Sequence, residues 1–178
     1  MPSIELALSL FLLATVLFAC ALLTLYWLRT GVPPLPLRRA ERESVLALLK
    51  GAGVPAQATI YELGCGWGGL TLALAREFPE ARVVGIELSP LPWLVARLRA
   101  RRERRILIAR QDFFSADLSS ADAVISFLMM KPMGPLSQKL DRELRPQTPV
   151  VSVAFWFRGR AIERSAGTVA LYRWTRAT

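Results

Sequence analysis

The chain has 178 residues, no histidine and a formal net charge of +9 at pH 7, which excludes a histidine general base and a histidine-ligated metal. Its two cysteines, Cys20 and Cys65, fall in an apolar run and in a glycine-rich loop, so we expect no disulfide framework, and we assign no metal site. An excess of basic over acidic residues is typical of chains whose partner is nucleic acid, an anionic membrane surface or an acidic substrate.

The first predicted element is an apolar segment from Ile4 to Leu28, in which Glu5 is the only charge. A run of about 20 apolar residues spans a bilayer as a helix. A cleavable signal would start with basic residues, whereas here Glu5 stands at the start, Tyr26-Trp27 lies at the end of the run and Arg29 follows it, as at a cytoplasmic membrane interface. We predict a single-pass anchor, residues 1–30, with the following domain on the cytoplasmic side. A buried core helix and a signal sequence are the alternatives.

A proline-rich linker, residues 31–38, leads into one domain, residues 39–178, which opens with an amphipathic helix from Arg39 to Lys50. Strands and helices then alternate. We predict strands at Thr59–Leu63, Arg82–Leu88, Ile106–Ala109, Ala121–Leu128 and Pro149–Phe157, helices at Gly69–Phe78, Pro92–Arg105 and Gly134–Leu144, and two short strands around Gly167. This alternation predicts an α/β fold with a Rossmann-like, mostly parallel sheet covered on both faces, and an antiparallel strand at or near one edge.

The loop after the first predicted strand, Glu62-Leu-Gly-Cys-Gly-Trp-Gly-Gly69, is rich in glycine. Glycine lets the backbone turn sharply and approach a ligand closely. Open parallel sheets bind ligands outside the carboxyl ends of their strands. We therefore assign cofactor binding to the loop residues Gly64, Cys65, Gly66 and Gly68, although these glycines could also form only a tight turn.

Carboxylates at the ends of the strands identify the cofactor. Glu87, with Leu88 after it, ends the second predicted strand, where a carboxylate accepts hydrogen bonds from both hydroxyls of a ribose. Asp112 ends the third predicted strand and precedes Phe113, an acid and an aromatic that can hold an adenine. Glu62 can reach the methionine end of S-adenosylmethionine (SAM), which we predict as the cofactor.

The main rival to SAM is a nicotinamide or flavin dinucleotide bound by a Gly-x-Gly-x-x-Gly loop. The glycines after Cys65 fall at 66, 68 and 69, so that spacing is imperfect. A pyrophosphate on the helix N-terminus would also be repelled by Glu62. A turn without any cofactor is the third possibility, and SAM is the favoured one.

From about residue 40 to the end, the chain resembles class I SAM-dependent methyltransferases. A narrower resemblance is to the membrane-anchored protein-lysine methyltransferases of the ATP synthase c subunit and their prokaryotic relatives. It is carried by Glu87-Leu-Ser-Pro90, Pro92-Trp-Leu-Val95, Asp112-Phe-Phe-Ser-Ala-Asp-Leu118, Phe127-Leu-Met-Met130 and Leu136-Ser-Gln-Lys-Leu140. Two departures stand out: Trp67 replaces an acidic residue in the glycine loop, and extra residues separate Pro90 from Trp93.

The resemblance implies methylation of a lysine in a membrane or membrane-associated protein, such as a small hydrophobic membrane subunit. The absence of histidine is compatible with this chemistry, because burial lowers the pKa of a lysine and favours its neutral form. Nucleic acid is a disfavoured partner, since the segment after the fourth predicted strand, Phe127 to Pro132, is apolar. A lipid, quinone or other small hydrophobic acceptor and a non-catalytic SAM-binding module are the alternatives. The sequence assigns no catalytic residue.

Overall fold

A long apolar helix, α1 from Pro2 to Thr30, opens the chain. The computed structural model describes residues 2–31 and 35–175, so the central part of the predicted linker lies outside the described residues. Within them, the segment Ile4–Thr30 is the one helix whose length and composition suffice to cross a membrane. Most of α1 is exposed, but one face of its second half is half-buried, and α1 contacts helix α4 (Pro90–Ala100). That face consists of Ala19, Leu22, Leu23, Tyr26 and Thr30.

The remaining elements form one seven-stranded sheet with helices on both faces. The other helices are α2 (Arg39–Gly51), α3 (Gly69–Glu77) and α5 (Met130–Glu143). The strands are β1 (Thr59–Leu63), β2 (Arg82–Glu87), β3 (Ile106–Arg110), β4 (Ala123–Ser126), β5 (Thr148–Val153), β6 (Arg164–Ala166) and β7 (Val169–Trp174). Their order across the sheet is β3-β2-β1-β4-β5-β7-β6. The predicted Rossmann-like, mostly parallel sheet is therefore confirmed.

The order of the strands determines which helices share a face. Right-handed crossovers place α3 and α4 on one face of the sheet, because β1, β2 and β3 progress in one direction. The chain then returns to the centre through β4 and continues to β5 in the opposite direction, so α5 covers the other face. All parallel strands end at the same edge of the sheet, and the β1–α3 loop, Glu87 and the segment after β3 meet there.

Two apolar cores lie on the two faces of the sheet. One joins α2 and α3 to the strands and includes Val45, Leu49 and Leu74, all fully buried. The other lies under α5 and includes Leu136 and Leu140. The closing strand β7 runs antiparallel to both β5 and β6, so the antiparallel strand lies one position inside the sheet edge and β6 forms the edge itself.

Several predicted boundaries are wrong, including those of three elements whose ends have a clear physical reason. The helix predicted at Pro92–Arg105 begins at Pro90, since proline is favoured in the first helical turn, and it ends at Ala100. After Ala100 the chain turns, with the Glu103 amide donating to the carbonyl of Ala100 at 2.9 Å. Strand β3 ends at Arg110, so Asp112 follows the strand instead of ending it. The fifth strand stops at Val153, because Ala154 adopts a φ of 64°.

A prediction about stability concerns Gly85, in the middle of β2. A Cβ at this position would lie 2.9 Å from the Sγ of Cys65 and 3.0 Å from the Cδ1 of Ile108. We expect Gly85→Val to lower the free energy of unfolding by about 1–3 kcal/mol through overpacking, measured by thermal unfolding. The matched control is Gly134→Ala on α5, where a Cβ meets nothing within 4 Å and stability should rise slightly. Equal unfolding temperatures for Gly85→Val and the parent chain would contradict the prediction.

Candidate active site

The glycine loop between β1 and α3 folds back over the end of β2. Gly64, Gly66 and Gly68 have φ values of 74°, 51° and 75°, a region that is strained for residues with a Cβ. The amides of Gly64 and Cys65 both donate to the carbonyl of Ile86, at 2.8 and 2.9 Å. Backbone hydrogen bonds to the neighbouring strand therefore fix the conformation of the loop. The backbone of its glycines is left accessible to a ligand at the carboxyl ends of the strands.

Glu87, the last residue of β2, links the loop to the start of α4. One carboxylate oxygen accepts the amide of Gly66 at 2.9 Å, and the other accepts the amide of Ser89 at 2.7 Å. The side chain is 9% exposed, so it is held in one orientation at the end of the strand. Each carboxylate oxygen has a second lone pair for a ligand hydroxyl, which is the requirement for holding a ribose.

Glu62 is buried beside the loop, with 6% of its surface exposed. The Thr71 hydroxyl donates a hydrogen bond to one of its oxygens. Burial is the main cause that raises the pKa of Glu62 to about 8; the Thr71 bond opposes the shift and the nearby Glu87 charge adds to it. Glu62 is therefore a neutral acid at pH 7 in the ligand-free protein, and a cationic ligand group would favour its ionised form.

Cys65 is buried in the loop, close to Gly85 of β2 and within range of the charges of both glutamates. The thiol is 5% exposed, and burial, followed by the charges of Glu62 and Glu87, raises its pKa well above the ordinary value. A thiol that stays protonated is a poor nucleophile. Burial and the raised pKa of the thiol therefore disfavour a mechanism in which Cys65 attacks the acceptor.

The segment after β3 supplies an acid and two aromatic rings. Asp112 is exposed, and one of its oxygens accepts the amide of Phe114 at 2.9 Å. Phe113 is half-buried, and its ring centroid lies 4.5 Å from that of Phe114. The turn presents an acceptor and an apolar ring side by side, which suits the amino group and the flat face of an adenine.

One cavity of about 580 Å³ brings these groups together, a size typical of pockets for small molecules and cofactors. Eight of the nine predicted cofactor-binding residues line it: Glu62, Gly64, Cys65, Gly66, Glu87, Leu88, Asp112 and Phe113. The ninth, Gly68, is not part of the lining. Gly68 is the N-cap of α3, and a Cβ at this position would lie 3.0 Å from the Cβ of Ala96 on α4, so the missing side chain lets α3 and α4 approach. The individual contacts of these residues with a cofactor stay predictions.

Several residues line the cavity although no motif in the sequence around them predicts it. Arg29 and Thr30 at the end of α1 reach the cavity, as do Leu35, Arg42 and Lys131. The start of α5 meets the end of α1, since a Cβ on Gly31 would lie 3.8 Å from the Cδ of Lys131. These residues are distant in the chain from the glycine loop, and the packing of α1, α2, α5 and the segment before α2 around the loop brings them to it.

Trp67, the unusual residue of the glycine loop, is half-buried and lines the cavity. Its carbonyl accepts a hydrogen bond from Arg99 of α4 at 2.6 Å. The loop and α4 are thereby joined at the cavity wall. Trp67 therefore places an uncharged aromatic residue in the cavity wall at a position where the resembling family has an acidic side chain.

Comparison with known proteins identifies the cofactor and the family. Residues 62–164 match the family model of the ANTKMT methyltransferase domain. A protein-lysine N-methyltransferase of Saccharolobus islandicus is 32% identical over 131 residues, which cover 72% of this chain and 81% of that protein. A release factor glutamine methyltransferase of Mycolicibacterium smegmatis is 30% identical over 139 residues, 78% of this chain but 49% of that protein.

Among solved structures, an RNA methyltransferase from Salinibacter ruber in complex with S-adenosyl-L-homocysteine is similar. Its TM-score is 0.69 at 30% identity, with 79% of this chain and 92% of that chain covered. The SAM prediction is confirmed, and the buried Glu87 at the rim of the glycine loop fits such a cofactor. The chain belongs to the ANTKMT methyltransferase-domain family and is a SAM-dependent N-methyltransferase.

Proposed function

We propose that this enzyme methylates lysine in a membrane or membrane-associated protein, and that residues 1–30 anchor it in the membrane with the domain of residues 39–178 on the cytoplasmic side. The observation that carries the proposal is the shared cavity: Arg29 and Thr30, at the end of the apolar helix α1, line the same space as Glu87. An acceptor that enters this cavity passes beside the end of α1. If α1 spans the bilayer, that position is at the membrane surface.

The protein-lysine activity of the Saccharolobus islandicus relative supports lysine as the acceptor. The apolar character of the cavity rim supports a hydrophobic target. Leu35 and Phe114 both line the cavity and are 63% and 39% exposed. Exposed apolar groups at a cavity entrance are typical of a surface that meets an apolar partner. A small hydrophobic membrane subunit with a lysine near the headgroups has the required chemistry.

Methyl transfer to an amine needs alignment and a neutral acceptor more than it needs a general base. SAM supplies a methyl group bonded to a positively charged sulfur. Glu87 and the glycine loop would fix the position of the cofactor, and the largely buried wall of Glu62, Cys65 and Leu128 excludes water on one side. The lysine amine would release its proton, form a bond to the methyl carbon as the carbon–sulfur bond breaks, and then lose a further proton to solvent.

The cations around the cavity entrance favour the neutral amine. Arg29, Arg42 and Lys131 line the part of the cavity next to α1 and α5, whereas Glu62, Glu87 and Asp112 line the predicted cofactor side. Like charges nearby lower the pKa of an entering lysine. The entrance thereby assists deprotonation without a dedicated base.

Sealed membrane vesicles that contain the full chain test substrate and topology together. SAM is charged and crosses a bilayer poorly, so labelled SAM added outside should transfer methyl groups to a membrane protein in inverted vesicles and not in right-side-out vesicles. Mass spectrometry should find lysine heavier by multiples of a methyl mass. Vesicles that contain Glu87→Ala provide the inactive control. Label found only in the organic extract would replace the lysine assignment with a lipid or quinone acceptor, and label in right-side-out vesicles would reverse the topology.

A further inference from the structure

The outward side of α4 combines exposed leucines with exposed arginines. Leu94 and Leu98 are 44% and 53% exposed, and Arg97 and Arg101 follow at the three- and four-residue spacing that puts side chains on one face of a helix. Arg102 and Arg104 extend the cationic surface into the following turn. We call these six residues the α4 surface: Leu94, Arg97, Leu98, Arg101, Arg102 and Arg104.

The arginines of this region fall into two groups. Arg99 and Arg105 are structural: the first donates to the Trp67 carbonyl, and the second donates to the carbonyls of Ala75 and Phe78. Among the described residues, Arg101, Arg102 and Arg104 have no ion pair or hydrogen bond through their side chains. Their charge is therefore available to a partner outside the chain.

The position of α4 indicates which partner that is. Helix α4 contacts α1, whose second half is half-buried on one face while its first half is exposed. In a chain anchored by α1, the helix in contact with the end of the membrane segment lies near the lipid headgroups. We propose that the α4 surface binds the anionic headgroups of the membrane, an inference that rests on the proposed anchorage by residues 1–30.

The composition of the surface favours lipid over RNA. Basic side chains are attracted to an anionic leaflet, and leucines between them can enter the boundary between headgroups and acyl chains. Single-stranded RNA is held by aromatic rings on which bases stack. The exposed apolar residues here are aliphatic, and the one aromatic ring of α4, Trp93, is half-buried with Arg97 above it at 5.3 Å. Lipid binding would hold the domain in one orientation and keep the cavity entrance at the membrane surface.

The test uses the full chain in lipid nanodiscs, with a bimane fluorophore on Leu98→Cys in a Cys20→Ala background; Cys65 is buried. The discs contain phosphatidylcholine alone or with phosphatidylglycerol, each with a trace of lipid that carries a nitroxide on its headgroup. We expect quenching to be about twofold greater in the anionic discs and to fall to the neutral-disc level at high salt. Removing two of the four charges with Arg101→Gln and Arg104→Gln should reduce the difference by at least about half.

The matched control removes two charges elsewhere, with Arg142→Gln on α5 and Arg164→Gln on β6, on the opposite face and the opposite edge of the sheet. It should leave the quenching difference intact. Equal quenching in both kinds of disc would overturn the proposal, and so would a control variant that loses as much of the quenching difference as Arg101→Gln with Arg104→Gln. RNA binding in neutral discs that depends on Arg101 and Arg104 would also overturn it. Recovery of the chain in discs reports on the anchor separately, so failure of the anchorage is distinguishable from failure of the α4 surface.

Discussion

Replacing Glu87 with alanine is expected to weaken SAM binding by about 100-fold or more, since hydrogen bonds to a charged group contribute roughly 1.5–3 kcal/mol each and a ribose would donate two to this carboxylate. The substitution also removes the acceptor for the amides of Gly66 and Ser89, so the glycine loop loses one of the two side chains that connect it to α4, the other being Arg99. Isothermal titration of the purified chain in detergent measures the effect directly.

Two controls separate the ribose contact from the loop contact. Glu87→Gln keeps one acceptor oxygen and has nearly the same shape, so it should hold part of the loop and recover part of the affinity. Glu80→Ala removes an exposed acid in the turn before β2 and should leave SAM affinity unchanged. Unchanged affinity in Glu87→Ala, with the chain folded by circular dichroism, would overturn the assignment of the ribose to Glu87.

The second large effect concerns Glu62 and pH. Burial raises the pKa of Glu62 to about 8. If the SAM ammonium group binds beside this carboxyl, as we propose, binding requires that a proton leave. We expect the affinity for SAM to rise with pH by up to about tenfold per unit between roughly pH 5.5 and 7, below the range in which an α-amino group itself titrates. Titrations at several pH values in Glu62→Gln should show no such slope, while Glu80→Gln should keep it.

The raised pKa of Glu62 also predicts how the stability of the protein without SAM depends on pH. An acid whose pKa is higher in the folded state than in the unfolded chain binds more protons when folded. Its contribution to stability is therefore present at low pH and is lost as the pH rises from about 4.5 toward 8. Thermal unfolding without SAM should show a decline over this range that Glu62→Gln reduces. A parent chain and Glu62→Gln with parallel profiles would contradict the buried, protonated state of Glu62.

Most of the fold can be predicted from short stretches of sequence, because the spacing of apolar residues and the positions of glycine and proline determine each helix, strand and turn. The alternation of apolar strands with helices implies a parallel sheet, and the parallel arrangement in turn brings strand ends to one edge. Glu62, Glu87 and Asp112 could thus be grouped before the structure was known, since each lies at or just after the end of a strand. SAM followed from the carboxylates, and the matched relatives confirm it.

Other features depend on contacts between distant parts of the chain. The sequence contains no sign that β7 inserts between β5 and β6, because hydrogen bonding to both neighbours is a property of the assembled sheet. The end of α4 at Ala100 is decided by the turn that feeds β3, although the arginines beyond it have good helix propensity.

The glycine loop, its acids and the apolar length of α1 can be read directly from the order of the residues, because backbone freedom, charge and hydropathy are properties of short segments. The position of the end of α1 relative to the domain, by contrast, depends on tertiary contacts. Packing against α4 brings Arg29 and Thr30 to the cavity that contains Glu87, and this contact between the first helix and the edge of the sheet is the arrangement on which the proposed anchorage rests.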